Sequence, residues 1–164
     1  MIMKPLSGRW GKEERIMMGI EQVRLLQFQD LQFEAGKQIE LACQEENRKG
    51  GGIETVPFKI RRVFYMYASD HSVIRGNHAN RISEFVLINV HGSSKVRVDD
   101  GMDKKIFELP DPRTGLYIPP MIWKEMYDFS QGSVLLCLSS REYDANEYIR
   151  DYEAYIRENR YGKF

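Results

Sequence analysis

The chain is short of several things that would narrow its role quickly. It holds two cysteines, Cys43 and Cys137, and three histidines among 164 residues. Two cysteines so far apart make no zinc motif and read as buried thiols in a reducing compartment. Lysine plus arginine equals aspartate plus glutamate at 24 each. No bulk field therefore draws the chain to nucleic acid or to an anionic membrane, and any anion must be held by locally placed arginines. There is no apolar run long enough to span a bilayer and no signal-peptide pattern, so a soluble cytoplasmic protein is expected. The length suits one domain with one core.

What is present is mostly strand punctuated by turns. Residues 1–17 read as a leader or disordered arm, polar and basic, with Pro5, Gly8 and Gly11. The run Gly11-Lys-Glu-Glu-Arg15 needs purine-rich codons and lies just upstream of Met17 and Met18. That is what a translated ribosome-binding site looks like, and it would put the natural start at one of those methionines; the alternative is a genuine frayed arm. Residues 18–164 read as a single domain. Strands are expected over Val23–Phe33 and Lys37–Cys43, then a flexible loop at Asn47–Gly52. Phe58–Ala68 alternates Val63, Tyr65 and Tyr67 on one face with Ile60, Arg62, Phe64 and Met66 on the other, large side chains on both. His71 falls in a loop and reads as a solvated surface residue. Lys95–Val98 and Lys104–Leu109 flank an Asp-Asp-Gly turn and read as a hairpin. Gly115–Ile118, Met121–Phe129 and Ser133–Ser139 supply the last strands. Asp144 with Glu147 three residues on makes a capping box, and Tyr148, Ile149, Tyr152, Tyr155 and Ile156 recur at helical spacing. These predict an amphipathic helix over about 145–159.

The segment from Arg75 to Gly92, RGNHANRISEFVLINVHG, organises the rest. A polar cluster opens it and the apolar run Phe85-Val86-Leu87-Ile88 follows. His78 and Asn80 are two apart, so on a strand they share a face, and Glu84 keeps the same parity. The spacing resembles the first motif of cupins, small jelly-roll barrels. Asn80 occupies the slot of that motif's second histidine, and Lys124 that of the last metal-binding histidine. A first-row metal needs several converging His or carboxylate ligands, and only His78 and Glu84 remain. The expectation is a metal-free cupin with no cofactor: a mainly β jelly-roll barrel with a C-terminal α-helix.

Several segments together resemble the dTDP-4-keto-6-deoxyglucose 3,4-ketoisomerases, the WxcM-like cupins of bacterial surface-sugar pathways. They are Ile60-Arg-Arg-Val-Phe-Tyr65, Arg75-Gly-Asn-His-Ala79, Val96-Arg-Val-Asp-Asp-Gly101, Gly115-Leu-Tyr-Ile-Pro119, Trp123-Lys-Glu-Met126, Asp128-Phe-Ser130 and Tyr143-Asp-Ala-Asn-Glu-Tyr-Ile149. The resemblance implies a homodimer with exchanged N-terminal strands and a nucleotide-linked deoxysugar, a dTDP-sugar, as ligand. It implies a reaction that moves a carbonyl from C4 to C3 by proton transfer through an enediolate. It places the base at His78 and a proton-relaying tyrosine at Tyr65. Arg62 and Arg75 are the natural pyrophosphate partners, since guanidinium holds phosphate oxygens in a fork, with Arg81 beside them. Asn80 and Glu84 fall on the substrate side. Asn80 replaces a second active-site histidine, Lys124 replaces the His or Arg that follows the tryptophan, and Ala35 falls near a usually basic position. Asn80 can still hydrogen-bond a sugar, and Lys124 can act as acid if burial lowers its pKa. The competing function is a non-catalytic sugar-nucleotide-binding cupin that has lost proton transfer.

Overall fold

A computed structural model describes residues 19–43 and 54–161. The expected leader and the Asn47–Gly52 loop lie outside them. Two five-stranded antiparallel sheets form a jelly-roll barrel. One has the order β1-β9-β6-β11-β4 and the other β12-β5-β10-β7-β8. In chain order the strands are β1 (Arg24–Gln27), β2 (Leu31–Phe33), β3 (Gly36–Gln38), β4 (Arg62–Met66), β5 (Arg75–Asn80) and β6 (Phe85–His91). They continue as β7 (Ser94–Asp99), β8 (Lys104–Leu109), β9 (Thr114–Ile118), β10 (Trp123–Tyr127), β11 (Val134–Ser139) and β12 (Tyr148–Ile149). Among the described residues one segment is α-helical, α1 (Tyr152–Tyr161), at their C-terminal end.

The apolar run Phe85–Ile88 is continuous because the first sheet is covered on both faces. Phe85 and Leu87 point between the sheets, into a core with Val96, Val98, Leu116, Ile118, Leu135 and Cys137. Val86 and Ile88 point the other way, against Leu26, Phe28, Val56 and Phe58. A third cluster of Ala79, Trp123, Ile149 and Tyr155 seats α1 on the outer face of the second sheet. Tyr155 is fully buried, with its hydroxyl 2.7 Å from the Asp99 carbonyl oxygen. Truncating such a ring to alanine costs about 3–5 kcal/mol.

Three expectations need correction. The segment from Arg75 to Gly92 is two strands, because residues 81–84 leave the ladder between β5 and β6. The N-terminal strand is split into β1 and β2, and of Lys37–Cys43 only Lys37 and Gln38 join a strand, β3, with Cys43 making one isolated bridge to Val56. The helix starts seven residues late. Asp144 caps a short 3-10 turn, Ala145–Glu147, after which Tyr148–Ile149 pairs with β5. The α-helix is capped instead by Asp151, whose carboxylate accepts from the Ala154 amide at 2.7 Å. Both cysteines are free, Cys137 buried and Cys43 half-buried.

Candidate active site

Between the sheets lies a cavity of about 270 Å³. Arg75, Gly76 and His78 come to it from β5, Lys124 and Met126 from β10, Phe64 and Met66 from β4, and Phe85 and Leu87 from β6; Tyr148 and Arg150 close its rim. Among the described residues no carboxylate lines it, whereas Arg75, Arg150 and Lys124 do, so the cavity favours an anionic ligand.

β5 is bulged where the site sits. Lys124 pairs with His78, but Glu125 pairs with Gly76, so Asn77 is the extra residue. Gly76 and Asn77 take φ of 87° and 55°, in the left-handed region. A Cβ on Gly76 would lie 2.7 Å from the Lys124 carbonyl oxygen, so only glycine fits against β10. The bulge brings the Gly76 carbonyl to the His78 ring, where it lies 3.0 Å from Nδ1. A carbonyl only accepts, so Nδ1 carries the proton and Nε2 keeps its lone pair. Burial, reinforced by the Lys124 charge, draws the His78 pKa down to about 3, so the ring is neutral at physiological pH. The Tyr148 ring packs against it at a tilt of 50°, with ring centroids 4.9 Å apart.

Lys124 is 3% exposed. Its ammonium donates to Asn80 Oδ1 at 2.7 Å and lies 4.8 Å from the centre of the Phe85 ring. Burial lowers its pKa to about 7, against the opposing charge of Glu147. Arg62 donates from Nη2 to the Tyr148 hydroxyl at 3.1 Å, and its Nε is buried without a hydrogen-bond partner among the described residues. Cys137 also borders the cavity, but burial pushes its thiol up to about 12, which keeps it protonated and inert.

His78, Lys124 and Arg75 line one cavity, and Asn80 and Arg62 lie beside it, bonded to Lys124 and Tyr148. Three other candidates do not. Tyr65 is 63% exposed on the outer face of β4, because strand alternation turns Phe64 and Met66 inward instead. Arg81 is held by Glu158 of α1, at 2.9 Å from Nε and 2.6 Å from Nη2, and donates to the Asn146 carbonyl. Glu84 accepts from the Tyr117 hydroxyl at 2.7 Å and borders a separate, wider concavity of about 790 Å³ with Arg61 and Tyr143. That larger concavity contains none of His78, Asn80 or Lys124. Tyr148, Arg150 and Glu147 escape sequence reasoning because the helical spacing assigns them to an amphipathic helix packed on the barrel or on a partner. Among the described residues no three of His, Cys, Asp and Glu converge as a metal-binding group, and no helix is long and apolar enough to cross a membrane.

Residues 21–160 match the family model described as FdtA, WxcM-like, C-terminal. The chain belongs to this family. It is 39% identical over 113 residues to the TDP-4-oxo-6-deoxy-alpha-D-glucose-3,4-oxoisomerase of Aneurinibacillus thermoaerophilus, covering 69% of this chain and 77% of that protein. Among solved structures it resembles QdtA, a sugar 3,4-ketoisomerase from Thermoanaerobacterium thermosaccharolyticum in complex with TDP. There the TM-score is 0.77 at 36% identity, with 88% of this chain and 99% of that one covered. It also resembles the WlaRB TDP-quinovose 3,4-ketoisomerase of Campylobacter jejuni, with a TM-score of 0.74 at 36% identity over 84% and 99% of the two chains. The WxcM-like resemblance and the cupin jelly roll expected from the sequence are both borne out.

Proposed function

We propose that this chain is a sugar-nucleotide 3,4-ketoisomerase that moves the keto group of a TDP-4-keto-6-deoxyhexose from C4 to C3. The observation that carries the reading is a neutral His78 with its Nε2 lone pair free, opposite a buried Lys124, in a cavity rimmed by arginines. A cavity of about 270 Å³ suits the hexose end of such a ligand, with the nucleotide extending past the rim. Phe64, Phe85 and Leu87 offer apolar surface to a deoxy carbon, and Arg75 and Arg150 offer donors to phosphate and sugar oxygens.

In the reaction His78 Nε2 takes the proton from C3. The C–H electron pair forms the C3–C4 double bond, and the carbonyl pair moves onto O4, where the Lys124 ammonium stabilises it. Return of a proton to C4, loss of the O3 proton and protonation of O4 complete the shift. Electrons stay within the sugar, so the sequence of steps needs no redox cofactor. Lys124, with a pKa near 7, can both donate and recover a proton at neutral pH. The relay role expected of Tyr65 passes to Tyr148, which lies on the His78 ring and is held by Arg62.

The same reading makes the protein a homodimer with exchanged N-terminal strands. Among the described residues the β2–β3 hairpin pairs with neither main sheet, and its six residues, Leu31 and Phe33 included, are all exposed. An isolated two-stranded hairpin is marginal in water, and a partner's sheet edge would complete it. Light scattering is expected to give a dimer. The metal-free cupin reading also stands as part of this proposal, with the enzyme working in the cytoplasm on deoxysugars destined for surface glycans. Incubation with TDP-4-keto-6-deoxyglucose in deuterated water tests the whole: deuterium at C3 and a 3-keto product are expected. Tight binding with no exchange would overturn it in favour of a non-catalytic sugar-nucleotide binder.

A further inference from the structure

We propose that Glu147 is a positioning residue for this reaction: its buried carboxylate fixes the amide of Asn80, and Asn80 holds the ammonium of Lys124 opposite His78. The proposal rests on the isomerase reading and assigns a role to a residue that does not line the cavity.

The geometry is a chain of three buried polar groups. Lys124, Asn80 and Glu147 are 3%, 1% and 4% exposed, so none can turn to water for a partner. Lys124 Nζ donates to Asn80 Oδ1 at 2.7 Å, and Asn80 Nδ2 donates to Glu147 Oε1 at 3.3 Å. An ammonium can only donate and a carboxylate can only accept, so the amide has one orientation that satisfies both. A flipped Asn80 would set NH2 against NH3+ and oxygen against carboxylate. Asn80 therefore carries no proton, but it transmits direction.

Glu147 is itself anchored. It ends the 3-10 turn, and its carbonyl accepts from the Arg81 amide at 2.9 Å. Its carboxylate accepts from the amides of Ile82 at 3.2 Å and Ser83 at 2.9 Å, and from the Ser83 hydroxyl. Counting the Asn80 amide, four donors converge on this one carboxylate and fix its place. The groups around Lys124 are His78 on β5, Phe85 on β6, Cys137 on β11 and Glu147 on the turn. His78 is neutral and the Cys137 thiol protonated at physiological pH. Arg62 and Arg75 bring further positive charge toward Cys137. Glu147 is thus the negative charge that keeps part of Lys124 protonated, and the amide between them sets where that proton points.

The test is Glu147→Gln, read two ways. Nuclear magnetic resonance of lysine ε-methylenes follows Lys124 ionisation in the protein alone, independent of catalysis. The pH profile of turnover follows the proton donor in the reaction. In Glu147→Gln, Lys124 should titrate about one pH unit lower than in the wild type. The alkaline limb of turnover should move with it, lowering turnover at pH 7 about fivefold with KM kept. Glu147→Asp, which keeps the charge, should restore the ionisation of Lys124. An unchanged titration and an unchanged profile in Glu147→Gln would overturn the proposal. If that variant does not fold, Asn80→Ala leaves the Glu147 bonds to residues 82 and 83 in place. Turnover there should fall at least about tenfold at constant KM, and wild-type turnover would overturn the proposal. A wild-type protein with no isomerisation would remove the isomerase reading instead, while the resonance titration would still decide whether Glu147 governs Lys124.

Discussion

His78 and Lys124 stand opposite one another across β5 and β10, at the point where the register of the two strands shifts. A base and an acid carried on the same rung of one ladder cannot drift apart as groups on separate loops can. The bulge at Asn77 gives β5 its bend, the Gly76 carbonyl sets the tautomer of the ring, and burial keeps both groups near the protonation states that the proposed chemistry needs.

Burying these two groups should leave a signature in stability. His78 falls from 6.5 to about 3 and Lys124 from 10.5 to about 7. Between those limits the unfolded chain binds more protons than the folded one, so both contributions make stability rise with pH. For His78 the window is pH 3 to 6.5, and for Lys124 it is pH 7 to 10.5. Urea midpoints of the wild type and Lys124→Met at pH 7 and pH 10 isolate the second window. The wild type should gain on Lys124→Met as the pH rises. Parallel lines would mean that the ammonium is not buried.

Arg81 should matter for stability and not for ligand. Its guanidinium is spent on Glu158 and the Asn146 carbonyl, tying the turn after β5 to α1. Arg81→Ala should cost about 1–2 kcal/mol, above an exposed pair because the contact is forked and half-buried. TDP affinity should be unchanged by calorimetry. A large loss of TDP affinity at full stability would return Arg81 to the ligand site.

Gly76→Ala should damage the site without touching a reacting group. The added methyl meets the Lys124 carbonyl at 2.7 Å, and the backbone there has φ of 87°. Either β5 moves off β10 or the bulge rearranges, and each parts His78 from Lys124. A stability loss of about 1–3 kcal/mol is expected, together with at least about a tenfold drop in turnover from the misplaced pair. Full turnover would show that the pairing is not critical.

Much of this site was legible in the sequence, for a definite reason. His78 and Asn80 obey a period of two on the part of β5 that follows the bulge, and Lys124 follows a tryptophan in a strand of its own. Tyr65 misleads because both faces of β4 carry large side chains, so the pattern does not say which face meets the cavity. Glu84 misleads because parity does not survive the turn at residues 81–84. The C-terminal segment misleads most. Tyr148 and Ile149 fit helical spacing with Tyr152 and Tyr155, yet they add a strand to β5. Long-range pairing overrides local periodicity there, and it is what brings Glu147, Tyr148 and Arg150 to the site. Arg81 could not be placed without knowing that Glu158 would lie beside it, 77 positions away.

In the proposed reaction His78 removes the C3 proton, and isotope exchange at C3 reads that step directly. His78→Asn should be compared with the wild type for deuterium incorporation at C3 of TDP-4-keto-6-deoxyglucose in deuterated water. The substitution keeps a polar group of similar reach and removes the lone pair that takes the proton. Exchange should fall at least about a hundredfold, the low end for a positioned general base, with TDP affinity retained. Wild-type exchange in His78→Asn would place the base elsewhere and contradict the mechanism.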